Sequence, residues 1–214
     1  MKGILFGNKH TYDDWDLVLT DKSLGLPTPK VSSVDVEGAD GSIDTSEVLS
    51  GEIKFNNRKL QFEFTMTTPY EEYNELVTEI SNYLHGKKLK IILDEDDNYY
   101  YTGRCQINQW TSDKRIGKIV ISCDCEPYKY SLRPFITRAT INGLTYVKVY
   151  GKRMTVTPII EVSQEMTISV NGKVKTLYPS RKNEILDLFI KEGVNILVFN
   201  GNGEVKISYT GGEL

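Results

Sequence analysis

Leu60-Gln-Phe-Glu-Phe-Thr-Met66, running into Thr68-Pro69-Tyr70-Glu71 and then Tyr73–Leu84, is the stretch that sets the fold class. In its first part apolar and polar residues alternate, the period-2 pattern of a half-buried strand. Thr68, Pro69 and Glu71 then read as an N-cap hydroxyl, a proline at the first helical position and a capping-box carboxylate. Tyr73, Leu76, Val77, Ile80 and Leu84 recur at helical spacing and form one apolar stripe. Gly86 supplies a left-handed stop, with Lys87 and Lys88 beside the negative end of the helix dipole. The reading is one helix over 69–85 laid on a sheet.

Everything else outward from that helix reads as β. Ser50-Gly-Glu-Ile-Lys-Phe55 is expected as the hairpin partner of Leu60–Met66, across Asn56-Asn57-Arg58. Further upstream, Lys30–Val36 reads as a strand leading into Glu37-Gly-Ala-Asp-Gly41, a tight turn or loop. After the helix come Leu89–Leu93, Tyr99–Trp110 and Ile119–Cys125, with Asp94-Glu-Asp-Asp97 as a solvated turn between the first two. Glu126-Pro127-Tyr128 and Pro134 mark a boundary, beyond which short strands follow one another: Thr155–Val162, Met166–Val170, Lys173–Leu177, Glu184–Ile190, Val194–Phe199 and Glu204–Tyr209. Asn171-Gly172 is the strongest hairpin signal in the chain, and Gly193 and Asn200-Gly-Asn-Gly203 read as further turns. The expected fold is mainly β: two β-sandwich domains, 1–130 and 131–214, the first with one α-helix packed on it.

The composition excludes several classes of function. In 214 residues, 26 Lys and Arg face 29 Asp and Glu, a formal charge of −3, which lacks the basic excess of a nucleic-acid or anionic-membrane binder. No apolar run approaches the ~20 residues of a membrane-spanning helix. The N-terminal Met-Lys-Gly-Ile-Leu-Phe-Gly-Asn-Lys-His10 turns polar too soon for a signal peptide, so synthesis and folding in a cytoplasm are expected. Three cysteines, Cys105, Cys123 and Cys125, argue against a disulfide framework, and Cys123-Asp-Cys125 has the wrong spacing for a zinc knuckle. Positions 119, 121, 123 and 125 fall on one strand face, so these cysteines are expected as small core residues. The two histidines, His10 and His85, sit in no catalytic or metal-ligating motif, and no P-loop, GxGxxG, GxSxG or HExxH occurs. Asp94–Asp97 lacks the ligand alternation, mid-loop glycine and closing glutamate of a calcium loop. No enzyme activity, cofactor or metal is expected.

Segments at both ends of the chain together resemble the distal tail proteins (Dit, siphovirus-type tail components) of long-tailed phages infecting Gram-positive bacteria. Pro29-Lys30, Val36-Glu-Gly-Ala-Asp-Gly-Ser-Ile-Asp44 and Phe55–Phe64 resemble the family's extended strand, Gly-x-Asp-Gly loop and Asn-Arg hairpin before the capped helix. Glu192–Gly203 and Val205–Leu214 resemble its closing strands. The resemblance implies a non-enzymatic protein of the virion tail tip, made in the bacterial host cytoplasm. It implies a first domain assembled into a hexameric ring that joins the tail tube to the baseplate or tail-associated protein. It also implies a galectin-like or carbohydrate-binding-module-like second domain. An acidic balance suits a ring that passes DNA without retaining it, because phosphate binding scales with basic contacts.

The resemblance and the segment's own composition together nominate Gly38, Asp40, Gly41, Ile43, Asp44, Val48 and Leu49 as a subunit interface. The glycines and aspartates make a loop with special backbone demands, while Ile43, Val48 and Leu49 place apolar groups within it. Such groups need a partner surface, either the domain's own core or a neighbouring subunit. The alternative reading is a carbohydrate-binding module for host cell-wall saccharide, with Trp15, Trp110 and Tyr99–Tyr101 as stacking platforms. A cell-wall hydrolase using Asp and Glu is a third reading, for which no motif speaks.

Overall fold

The computed structural model describes residues 3–113 and 115–214; Met1 and Lys2, which open the stretch weighed as a leader, lie outside them. The chain is mainly β with one α-helix, and its contacts divide it into two compact units at Lys129/Tyr130. No helix among the described residues is long and apolar enough to cross a membrane.

In the first unit, β1 (Ile4–Phe6), β2 (Lys9–His10) and β3 (Leu17–Leu24) come first, followed by a small ribbon of β4 (Ser33–Asp35) and β5 (Ser42–Asp44). Then come β6 (Arg58–Met66), α1 (Tyr73–Leu84), β7 (Lys88–Leu93), β8 (Tyr99–Ser112) and β9 (Gly117–Cys125). Seven strands follow the antiparallel order β2-β1-β7-β8-β9-β6-β3. Laid flat, the edges β2 and β3 would stand about 29 Å apart, six steps of about 4.8 Å. The seven-residue step from His10 to Leu17 reaches at most about 25 Å even when extended. The sheet therefore curls on itself, and the Leu17 N–H donates to the Thr11 carbonyl at 2.9 Å across the gap. Bulges between Leu19 and Asp21 and between Ile107 and Gln109 assist the curl. Phe6 on β1 and Phe62 on β6, four strands apart in the order, meet edge to face at 6.0 Å. The two layers of this unit are thus halves of one continuous sheet.

The helix closes the open side of the curl. Tyr73, Val77, Ile80 and Leu84 are buried in the same core as Leu60, Phe62, Phe64 and Met66, and Gly86 takes the left-handed conformation at φ +79°. Trp15, 1% exposed, packs edge to face on Tyr83 and donates from its indole N–H to Glu79 at 3.1 Å. The Tyr83 hydroxyl donates to the Phe6 carbonyl at 2.9 Å. Two details differ from the sequence reading. Tyr70–Glu72 form a 3-10 turn rather than the first turn of the α-helix, and Thr68 makes no capping box: its Oγ1 is buried without a hydrogen-bond partner. Ser50–Phe55 is not the partner of Leu60–Met66, because β3 and β9 already flank β6 on both sides.

In the second unit, beyond the short β10 (Lys129–Ser131), lie β11 (Phe135–Gly151), β12 (Ile159–Val162), β13 (Met166–Val170), β14 (Lys173–Leu177), β15 (Asn183–Glu184) and β16 (Gly193–Tyr209). The hairpin at Asn171-Gly172 forms as expected, with φ +49° and +74° at its two central residues. Two other expectations fail. Glu184–Ile190 does not pair with Val194–Phe199, and Asn200-Gly-Asn-Gly203 is not a turn between strands. Instead β16 runs unbroken and pairs with β11 along all 17 residues. Its other edge meets β13 at Val198–Asn200 and β12 at Val205–Ser208. Both halves of the long ribbon feed one core through Val147, Leu197 and Phe199 on one side and Ile141, Val205 and Ile207 on the other. The ribbon bends between them, where Gly143 (φ +66°) faces Gly201 (φ +150°) and Gly203 (φ +128°) faces Ile141. At Gly201 a Cβ would also stand 2.5 Å from the Met166 Cβ, so glycine is required there by both backbone and space.

Candidate functional site

The residues nominated for the interface lie on an arm that leaves the main sheet of the first unit after β3 and returns to it at Arg58, where β6 begins. Its neck is tied by the Lys30 N–H to the Lys54 carbonyl at 2.7 Å and the Asn56 N–H to the Thr28 carbonyl at 2.8 Å, flanking a bridge between Pro29 and Phe55. This pairing is what occupies the segment expected to partner β6. Beyond the neck, β4 and β5 pair Val34 with Ile43, and Gly38 and Gly41, at φ +84° and +75°, turn the tip. The structure brings Gly38, Asp40 and Gly41 together at that tip, with Ile43 and Asp44 on β5. Val48 and Leu49 stand apart from them in the returning loop.

No residue from Thr28 to Asn57 is buried. Leu26, Val31, Val34, Val36, Ile43, Val48 and Leu49 are all exposed, Ile43 by 58% and Leu49 completely. These side chains are therefore not packed into the domain's own core. Leu26, Val31 and Val34 are exposed too but lie outside the segment from Val36 to Phe55 that the sequence nominates, because Val34 and Val36 alternate like a core-facing strand. Only their lack of any apolar partner across the ribbon except Ile43 separates them from one.

Although exposed, the arm is not slack. The Ser46 N–H donates to the Asp44 carboxylate at 2.8 Å, the Thr45 N–H to the Ser32 carbonyl at 2.8 Å, and the Ser32 N–H to the Ser46 hydroxyl at 2.9 Å. The Ser46 hydroxyl and N–H hold the Asp44 carboxyl below the ordinary carboxylate range. Stabilisation of this kind is present above the unfolded-chain pKa and lost as pH falls through the lower folded value. In an acid titration followed by NMR, the Ser46 amide resonance is expected to shift with a midpoint below that of a free aspartate. A midpoint at or above the free value would mean the carboxylate does not organise the arm.

The root of the arm rests on Arg58. This side chain is 3% exposed, and its Nε–H donates to the Gly25 carbonyl at 2.8 Å. One Nη–H reaches the Pro127 carbonyl at 3.5 Å, and the guanidinium lies 5.0 Å from the Tyr101 ring centre. The sequence reads Arg58 as part of a hairpin turn, and nothing in the local pattern marks it as an anchor.

Trp15 belongs to the core and offers no stacking surface; Trp110 is 37% exposed on β8, and Lys129 and Lys90 lie over the rings of Tyr99 and Tyr100. Asp94 accepts the Gly3 N–H at 2.6 Å, and Asp96 pairs with Lys129 at 2.7 Å. Among the described residues no group of His, Cys, Asp and Glu has the arrangement to hold a metal ion. On the second unit a shallow hollow of about 370 Å³ is lined by Arg138, Glu161, Glu204 and Lys206. Its Glu161 accepts from Lys206 at 2.8 Å and is held below the usual carboxylate range by that bond, the opposite of what a general acid needs.

The small net charge conceals an asymmetry. The first unit carries 15 Lys and Arg against 22 Asp and Glu, formally −7, and the second carries 11 against 7, formally +4.

No protein-family model matches the chain, and no curated protein matches it. Among solved structures it is similar to the crystal structure of SPP1 Dit (gp 19.1), presented as a paradigm of the hub adsorption apparatus in phages infecting Gram-positive bacteria. The TM-score is 0.73 at 15% identity, with 100% of both chains covered. The chain therefore has the fold of a Dit-type phage tail protein from end to end.

Proposed function

We propose that this chain is a structural protein of a phage tail tip, a distal tail protein rather than an enzyme. Its first unit assembles into a hexameric ring that joins the tail tube to the baseplate or tail-associated protein. The observation that carries this reading is the end-to-end likeness to SPP1 Dit, which spans both units and not a single common β module. Two features of the chain support it. The arm presents Ile43, Val48 and Leu49 to solvent on a hydrogen-bonded frame, as a contact awaiting a neighbouring subunit would. A formal −7 on the proposed ring unit also suits a passage for DNA that must not retain it.

A closed ring requires a heterologous contact, in which one face of each subunit meets a different face of the next. The arm supplies one of those faces through Gly38, Asp40, Gly41, Ile43, Asp44, Val48 and Leu49. The test replaces Ile43 and Leu49 with Asp and compares mass by light scattering, alone and with a tail partner. Because neither side chain is buried, the double variant is expected to keep the circular dichroism and melting of the parent while losing assembly. Unchanged assembly by the folded variant would remove the arm from the interface. A parent chain that stays monomeric with its tail partners would remove the ring itself.

A further inference from the structure

Cys105 on β8 and Cys123 on β9 stand directly opposite each other in the ladder, 0% and 1% exposed, with their sulfurs 3.2 Å apart. The backbone bonds of Cys105 identify the kind of pair. Its N–H donates to the Lys87 carbonyl at 2.9 Å, and its carbonyl accepts the Gly86 N–H at 2.8 Å. Both of its main-chain groups therefore face away from β9. Cys105 and Cys123 are thus a non-hydrogen-bonded antiparallel pair, whose Cα atoms lie about 4.5 Å apart. That separation falls within the ~4.4–6.8 Å a disulfide spans, so closure asks the sulfurs to approach by about 1.1 Å without moving a strand. Cys125 is excluded from such a bond. It lies two residues along the same face from Cys123, and its partner in β8 is Gly103, where a Cβ would come within 2.3 Å of the Cys125 sulfur.

We propose that Cys105 and Cys123 are a convertible thiol pair that closes into a cross-strand disulfide pinning β8 to β9 when the protein meets an oxidising medium. With a small disulfide as oxidant, one cysteine thiolate attacks it and expels a free thiol. The second cysteine then displaces the other half of the oxidant, so the protein loses two hydrogens and two small thiols are released. In the closed fold this is slow by construction. The Cys105 sulfur and burial keep the Cys123 thiol protonated far above its usual pKa, and burial pushes Cys125 up to about 12. Access therefore depends on opening of the strand pair, which makes the pair inert in a reducing cytoplasm and reactive only where oxidant persists.

The full chain is incubated with oxidised glutathione at a series of urea concentrations below the unfolding midpoint, then analysed by intact mass, thiol counting and peptide mapping. The expected end product has one free thiol where the reduced chain has three, a mass lower by about 2 Da, and a bridge mapping to Cys105 and Cys123. Its rate of formation rises with urea. Cys125→Ala is expected to form the same bridge, and Cys123→Val none. Three free thiols throughout the series, stable glutathione adducts as end product, or a bridge to Cys125 would each overturn the proposal.

Discussion

Replacing Phe62 with alanine is expected to lower the stability of the first unit by about 3–5 kcal/mol, a large share of the ~5–15 kcal/mol a domain possesses. Phe62 is wholly buried and touches both halves of the curled sheet, meeting Phe6 edge to face at 6.0 Å and lying 6.4 Å from Phe64. Its removal leaves a cavity where the sheet turns back on itself, and strands on both sides are already fixed by their ladders, so little collapse can fill it. Both tryptophans, Trp15 and Trp110, belong to the first unit, so tryptophan fluorescence in urea reports this transition without interference from the second. A midpoint equal to that of the parent would mean the two halves do not share a core.

That core was only partly legible in the sequence, and the reason is where its information lies. The helical stripe of Tyr73, Val77, Ile80 and Leu84, the alternation of Leu60–Met66 and the Asn171-Gly172 hairpin are local patterns, and local physics decides them. The partners of β6 are not local. β3 lies some forty residues upstream, across an arm whose Val34 and Val36 imitate a core strand, and Ser50–Phe55 was the nearer and wrong choice. The failure at Asn200-Gly-Asn-Gly203 has a different origin. Glycine and asparagine serve tight turns, but glycine equally serves a strand that must bend under a neighbour, as Gly201 does beside Met166. Only the 17-residue register with β11 separates the two uses. Thr68 carried the right residue type for a cap, yet Pro69 leads into a 3-10 turn and the hydroxyl is left without the amide it was meant to accept.

For the candidate site the legible part was chemical and the illegible part positional. Apolar residues in a glycine- and aspartate-rich loop marked Ile43, Val48 and Leu49. The anchor at Arg58 carried no mark, because its value comes from Gly25 and Tyr101, distant in sequence. Arg58→Met is accordingly expected to cost the first unit about 2–4 kcal/mol. Methionine keeps much of the buried stem, but it takes the donor from the part-buried Gly25 carbonyl, at up to roughly 1–3 kcal/mol, and removes the cation from the Tyr101 ring. The effect should also be directional. Gly25 leads into the arm, and its own N–H is bound to the Lys59 carbonyl at 3.0 Å, with no room for a Cβ beside that oxygen (2.7 Å). Loosening this root frees the arm at its attachment while the ribbon of β4 and β5 keeps its own bonds. Hydrogen exchange should therefore quicken at Gly25 and across the neck, at Lys30 and Asn56, well before it does at β6 or β9. If the arm makes the proposed subunit contact, assembly weakens in step, through a flexible arm that must be ordered anew at each contact. Uniform acceleration of exchange through the whole first unit would assign Arg58 to the core alone and leave the arm's orientation to its neck.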